Sequence, residues 1–438
     1  MHRVAVVGSG VGGLAAAWQL RAQPQVQVTL FEAGEHFGGH ANTVDLTLEG
    51  ITHGVDTGFL VFNHRTYPLL TRLFAEIGVE TAPADMSFSV QVPSGRGAGN
   101  ALEWSGTSLD TVFAQRRNLL RPTFWRMLAD IVRFNRLCTG IAERQAEGAL
   151  RQSIGDFLDA HRFSQAFRRD YLLPMLGCIW SCPTEQMLRF PVATMIRFCH
   201  NHGLIQVTDR PQWHTVRGGS RHYVQRLLRD IADHRLRSPV LSLQRMAHGV
   251  VLQTPDMTAT FDAVVLACHS DQALALLGAG ASPQEREVLG AIRYQTNTAV
   301  LHTDASVLPQ RRAAWAAWNY ERADDDQEQA RVCLHYLLNV LQPLPWQQPV
   351  IVSLNPNRPI DERQVHQRID YAHPVFDMAA IDAQRRVPEL QGRQRTWFCG
   401  AWCGHGFHED GWRSGLAAAE GLLAAQATWP GAAMQGAA

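Results

Sequence analysis

Residues 2–14, HRVAVVGSGVGGL, decide how the rest of the chain is read. His2 to Val7 is an almost continuous apolar run, the pattern of a parallel strand buried on both faces. Gly8-Ser9-Gly10-Val11-Gly12-Gly13 follows at once, and Leu14 opens a stretch, LAAAWQLRAQ, with apolar residues at helical spacing. A second apolar run, Val26 to Phe31, ends at Glu32. Strand, GxGxxG turn, helix, strand and acid, in that order, make a dinucleotide-binding unit. Gly8 permits the tight turn, Gly10 lets the backbone approach a pyrophosphate, and Gly13 lets the helix pack close to the strand. The helix start at Val11 and Gly12 offers free N–H groups and a positive dipole end to phosphates. Glu32, with Ala33 beside it, lies 19 residues after Gly13 and is placed to accept ribose hydroxyls. The fold class this predicts is α/β, built on a Rossmann-type sheet.

Composition narrows what such a unit can serve. The chain has 438 residues, enough for two to three domains at roughly 150 residues each. It is 46% hydrophobic, so a large core can form, and 40 basic residues balance 40 acidic ones. Zero formal charge argues against a nucleic-acid partner, which needs a positive excess. Every basic residue is Arg. Chemistry that requires a lysine, such as a Schiff base or a Walker phosphate loop, is therefore excluded. No apolar run approaches the ~20 residues of a membrane span, and Met1 leads straight into the first strand, so a cytoplasmic enzyme without a cleaved leader is expected. The eight Cys are scattered, and their i, i+4 pairs (Cys178/Cys182, Cys399/Cys403) lack the usual zinc spacing, so free thiols and no metal are expected.

After Glu32 a second glycine pair, Gly38-Gly39, precedes His40. A nicotinamide-binding Rossmann domain does not need it. With this pair the sequence resembles the flavin-containing amine oxidase superfamily, where such glycines wrap the FAD pyrophosphate and Arg commonly stands at the position of His40. The resemblance extends through Val55-Asp56-Thr57-Gly58-Phe59, similar to the strand beside the isoalloxazine, and Val216-Arg217-Gly218-Gly219-Ser220, similar to a glycine-pair helix start. Ser238-Pro239-Val240 resembles the strand whose Val meets adenine. Cys399-Gly400-Ala401-Trp402 and Asp410-Gly411-Trp412-Arg413-Ser414-Gly415 resemble the second FAD motif. The resemblance implies FAD as cofactor. It implies contacts from Gly8, Gly10, Val11, Gly12, Gly13, Glu32, Ala33, Gly38, Gly39, His40, Gly58, Phe59, Val240, Gly400, Gly411, Trp412 and Arg413. A closer likeness, through AQRRNLLRPTFWRM, WHTVRGGSRHYV and GFHEDGWRSGLAAAE, is to flavoproteins associated with cyclopropane-fatty-acid synthases. It implies a lipid-linked role and a fatty-acid methyltransferase as a possible partner.

These positions imply a discontinuous FAD domain (1–85, 210–290 and 391–430) and an interleaved substrate domain (86–209 and 291–390). Amphipathic helical patterns are expected near 108–137, 153–172 and 185–200. Short strands are expected at Asn297 to His302, Arg331 to Leu338 and Pro349 to Leu354, with a charged loop at Arg322 to Gln329 and a frayed tail after Thr428. No second GxGxxG follows a strand, so the organic substrate rather than NAD(P)H is expected to reduce the flavin. The relatives' water-holding lysine near flavin N5 has no counterpart here. Oxidation of a C–C or C–O bond in an apolar, fatty-acyl substrate is thus favoured over amine or polyamine oxidation. A third alternative is a flavin-binding accessory to the methyltransferase. His408, His405 and Glu409 are the catalytic candidates, His being apt near neutral pH. The structural alternative is that His408 and Glu409 bond a loop or cap a helix starting near Gly411 with Asp410 as its N-cap. Residues 108–137 carry six Arg against two Asp, interleaved with Phe, Trp, Leu and Ile. Such a stretch is either a solvated face or a peripheral membrane contact.

Overall fold

The computed structural model describes residues 1–92, 101–146, 148, 150–206, 210–322 and 332–426. The central sheet has five parallel strands in the order Asp233–Arg235, Val26–Phe31, His2–Val7, Ala263–Leu266, Thr396–Phe398. Its inner strands are mostly apolar, with residues 4–7, 28–31 and 263–266 buried, because helices and a second sheet cover both faces. That second sheet is an antiparallel meander of Ser242–Met246, Gly249–Gln253 and Thr258–Phe261.

Glycines set how the helices meet this sheet. The first helix, Val11–Arg21, is buried on nearly every side. A Cβ at Gly13 would overlap the Gly8 carbonyl oxygen, and Gly8 itself has φ +101°, a conformation that glycine adopts without a steric cost. The C-terminal helix, His408–Gln426, lies against the first helix on the other side. There a Cβ at Gly415 would strike the Gly12 carbonyl oxygen, and one at Gly411 would strike Val11 Cγ1. Small residues thus bring two backbones close, and both helix starts point to one place, beside Gly400.

A seven-stranded sheet forms the other layer, in the order Val365–Val375, Arg293–His302, Ile351–Leu354, Cys333–Leu337, Trp318–Glu321, Phe88–Val92, Leu102–Ser105. All neighbours are antiparallel except Trp318–Glu321 with Phe88–Val92, which run parallel. Helices Pro122–Glu143, Ile154–Ala160, Leu173–Trp180 and Val192–Asn201 gather around a separate apolar cluster that includes Phe134, Phe157, Phe167 and Trp180.

Several expectations need correction. The stretch 108–137 is not one helix: Leu109–Val112 is followed by a 3-10 turn, Arg116–Leu120, and Pro122 starts the long helix. Pro122 suits a first helical turn, where its missing N–H costs nothing. The pattern at 153–172 is likewise broken, ending in a π turn at Arg168–Leu172 just before Pro174, which has no N–H to continue the ladder. Ser238 to Val240 is irregular chain, with the Ser238 N–H bonded to the Glu32 carbonyl (2.8 Å). The segment 86–209, where only helical patterns are expected, also supplies two strands to the large sheet. The C-terminal helix starts at His408 rather than near Gly411. Most of the charged loop (323–331) and the tail after Gln426 lie outside the described residues.

Candidate functional site

The two loops that follow the first two strands form one rim. The Gly38 N–H donates to the Ser9 carbonyl (3.1 Å), and Gly10 bridges Gly38 in parallel register. Glu32 is fixed from both loops: its Oε2 accepts the Ser9 N–H (3.0 Å) and hydroxyl (2.5 Å), and its Oε1 accepts the Gly34 N–H (2.7 Å). Behind this rim opens a cavity of about 1030 Å³. That is at the upper end of the ~300–1,000 Å³ common for ligand pockets.

One end of the cavity is glycine-rich backbone. Gly8, Gly10, Val11, Gly12, Glu32, Ala33, Gly38, Gly39, His40, Gly58, Phe59, Val240 and Gly400 all line it. Gly10 has nothing within 4 Å of where a Cβ would stand, so any side chain there would occupy the cavity itself. The start of the first helix faces the same space, an arrangement suited to a diphosphate. Four expected cofactor contacts do not reach it. Gly13 and Gly411 serve helix packing, Trp412 lies in the apolar core, and Arg413 pairs with Glu409 and Asp410 (3.4 and 3.7 Å).

The middle of the cavity holds a cluster of rings. His40 stacks on Tyr371 (4.7 Å) and sits 5.1 Å from His373, and its buried Nε2 has no partner. The Tyr371 hydroxyl takes a bond from the Asn42 amide (3.1 Å) and shares one with Thr57 (2.8 Å). Burial lowers both histidines, His373 to about 4, so both are neutral near pH 7. Beneath them Asp56 is fully enclosed. It accepts from the Ser220 N–H and hydroxyl, Thr43 and Gln342, while burial pushes it up to about 6. The Arg217-Gly218-Gly219-Ser220 motif therefore serves to hold the end of strand Ile51–Asp56, just before Gly58 and Phe59. A Cβ at Gly58 would overlap the His40 carbonyl, which also accepts the Phe59 N–H (2.7 Å).

The C-terminal flavin loop sorts the three catalytic candidates. His408 alone lines the main cavity. Its ring stacks on Phe59 at 3.7 Å, its Nε2 is buried without a partner, and burial lowers it to about 3. Glu409 is turned away. Its two oxygens accept the Leu69 and Leu70 N–H groups (3.0 and 3.1 Å) at the start of helix Pro68–Glu76, where a carboxylate suits the dipole. His405 lines a smaller neighbouring cavity of about 510 Å³ with Glu409, Asp410 and Arg413. Asp410 accepts the His405 and Phe407 N–H groups (3.1 and 3.2 Å) and so fixes the loop from inside the first helical turn, rather than preceding it as an N-cap.

The other end of the cavity is apolar. Met86, Phe88, Trp104, Tyr171, Trp318 and Tyr336 are among its walls, and its charged residues, Asp85 and Arg210, are exposed. Sequence reasoning missed this wall, because which side of a strand faces inward depends on register. Trp318 and Tyr336 face the cavity, while Glu321, Cys333 and His335 alternate to the opposite face. Those three are the one group of potential metal ligands that converges among the described residues. Arg358 (2.6 Å) and Gln91 (3.1 Å) already hold Glu321 there. Cys403 is not among the residues lining the main cavity, whereas Cys268 is.

The residues present fit FAD. A backbone cradle lies at a helix start, Glu32 is held at the end of the second strand where a ribose acid is expected, and two imidazoles with unpartnered Nε2 atoms line a cavity large enough for a dinucleotide and a substrate. The fold is shared with solved structures of low identity. Cyclohexylamine oxidase from Brevibacterium oxydans IH-35A is 16% identical with a TM-score of 0.66, over 97% of this chain and 99% of that one. The CLA-producing fatty acid isomerase from P. acnes is 15% identical with a TM-score of 0.65, over 98% and 99%. A putrescine oxidase bound to putrescine is 15% identical with a TM-score of 0.66, over 97% and 99%. No curated protein sequence matches the chain. The family model for flavin containing amine oxidoreductase matches residues 11–334, nearly three quarters of the length. The chain belongs to that family and is an FAD-dependent oxidoreductase.

Proposed function

We propose that the substrate is apolar and of the acyl-chain type, and that the reaction is a two-electron oxidation of a C–H-bearing bond. The observation that carries this is the cavity wall. An ammonium substrate calls for a buried carboxylate beside it. The acids lining this cavity are Glu32, held by its own loop at the cofactor end, and the exposed Asp85. Aromatic and aliphatic side chains favour a methylene chain, with each buried CH₂ worth ~0.8 kcal/mol. The same fold also carries a fatty acid isomerase.

FAD, which Gly8 to Gly12, Glu32 and Gly38 to His40 would hold, would supply hydride acceptance when bound, with the substrate proton lost to solvent. The chain's residues bind, orient and exclude water. Phe59 covers one face of His408 and keeps it dry. An imidazole lowered to about 3 holds no lasting proton, so His408 acts as a neutral hydrogen-bond partner. The Trp104, Tyr171, Trp318 and Tyr336 side chains hold the substrate against the cofactor end. Reoxidation of the flavin needs an electron acceptor, either oxygen or another oxidant.

Anaerobic mixing of the FAD-loaded enzyme tests this reading. Dispersed acyl lipids should bleach the flavin's visible absorption. Putrescine and other amines should not, and neither should NADH or NADPH, since no second nucleotide fold is present in the sequence. Bleaching by an amine but not by any acyl lipid would overturn the proposal.

A further inference from the structure

Eleven large apolar side chains are strongly exposed among the described residues, and five of them fall between residues 109 and 132. They are Leu109 (81%), Leu119 (44%), Leu120 (87%), Trp125 (49%) and Val132 (54%). Scattered exposed apolar residues are ordinary, but a concentration of this kind marks an interaction surface. Two of them are joined directly. The Trp125 indole N–H donates to the Leu119 carbonyl (2.9 Å), and its ring lies 5.3 Å from Phe113. Trp125, Arg126, Val132, Arg133 and Arg136 share the outward face of helix Pro122–Glu143, whose inward face carries Phe124, Met127, Phe134 and Cys138.

Charge says what fits there. Arg116, Arg117, Arg121, Arg126, Arg133 and Arg136 interleave with the apolar residues along this segment, whose own acids are Asp110 and Asp130. Asp110 pairs with Arg116 at 2.5 Å, the buried Asp130 bonds Arg133 at 2.9 Å and pairs with Arg126 at 3.6 Å, and Arg121 also feels the charge of Asp170. Arg117 is held to the Ala101 carbonyl, which neutralises nothing. An exposed Leu and Trp set among guanidinium groups matches the interface of an anionic bilayer: acyl boundary below, phosphate above.

The patch is also wired to the cavity. Trp104 and Tyr171 line the cavity's apolar end and pack on each other (6.1 Å). Trp104 meets Phe124 (6.2 Å), Phe124 meets Phe113 (5.8 Å), and Phe113 meets the exposed Trp125. Gly106 and Thr107, which also line the cavity, immediately precede the patch. We infer that residues 109–132 dock the protein on an anionic lipid surface and set the apolar end of the cavity beside it. The inference deepens the acyl-substrate reading and rests on it for the route of the substrate alone.

Vesicle sedimentation at low and high salt tests it. The wild-type holoenzyme should pellet with phosphatidylglycerol-rich vesicles, remain in solution with pure phosphatidylcholine, and be released as salt rises. Changing Arg116, Arg117 and Arg121 together to Gln should lower partitioning about a hundredfold, at ~1 kcal/mol per basic residue. Leu120→Asp should lower it at least tenfold, the loss of one inserted side chain. Both variants should keep full FAD content, which guards against misfolding. A wild type that stays in solution with both vesicles, or variants that bind as well as wild type, would overturn the inference. Failure to bind vesicles alongside flavin reduction by detergent-dispersed acyl substrate would sink the docking surface alone. Vesicle binding without reduction by any acyl lipid would sink the substrate reading alone.

Discussion

Glu32 receives three hydrogen bonds, two from Ser9 in the glycine turn and one from Gly34 in its own loop, so its carboxylate is oriented before a ribose arrives. Glu32→Ala removes both that orientation and a charged acceptor. FAD affinity should fall by ~1.5–3 kcal/mol, the usual value for a hydrogen bond to a charged group. Equilibrium titration of the apoprotein, followed by flavin fluorescence, measures this, and unchanged affinity would remove Glu32 from the ribose. Glu409 leads to the opposite kind of prediction. Its oxygens are spent on the Leu69 and Leu70 N–H groups, so Glu409→Gln should cost ~0.5–2 kcal/mol of stability and leave the rate of flavin reduction nearly unchanged. A collapse in rate with an unaltered melting temperature would make it catalytic after all. This difference was not legible in the sequence. Glu32 is recognised by its spacing from a local motif, whereas the partners of Glu409 lie some 340 residues away.

At the scale of elements, the contact between the first and last helices is the most sensitive. Gly415→Val would force a branched side chain into the Gly12 backbone. Overpacking typically costs ~1–3 kcal/mol and shifts backbone. Here the shift would displace the Gly10–Gly12 turn, so thermal stability and bound flavin should fall together. Retained flavin with lowered stability would mean the two helices move independently of the cofactor end. The elements also show where sequence reading succeeds. The strand, glycine turn and helix at residues 2–21 are legible because their signals are local and each glycine has one steric job. Ser238 to Val240 is expected as a strand from the family resemblance alone, but the Ser238 N–H bonds the Glu32 carbonyl and the stretch is irregular chain. The walls made by Trp318 and Tyr336 follow from strand register, which four strands spread along the chain set together.

For the whole molecule, buried histidines determine the response to acid. His202, His302 and His373 are lowered to about 4 and His408 to about 3, all chiefly by burial. An unfolded histidine titrates at ~6.5. Between ~6.5 and 4 the unfolded chain therefore binds protons that the folded chain refuses, and stability falls as pH drops through that window. Each histidine costs ~2 kcal/mol by pH ~5. Asp56, raised to about 6, acts in the other direction: its share is present at low pH and is lost as pH rises from ~4 through about 6. The histidines outnumber it, so the melting temperature should fall from pH 7 to 5. His302→Asn, remote from the cofactor, should remove about one proton from that slope. A melting temperature flat across the interval would show these imidazoles to be solvated.

The helix that completes the glycine cradle is the last one described, and the helix it clamps is the first. A ribosome releases the chain in one direction, so residues 2–21 must wait for almost the entire sequence before they gain their final neighbour. Until Thr396–Phe398 and His408–Gln426 emerge, the nascent dinucleotide unit has an open sheet edge and an uncovered helix face. Contacts this distant in sequence make folding slow and leave apolar surface exposed meanwhile. The glycine cradle is thus complete only once both the first and the last described helices exist, late in synthesis.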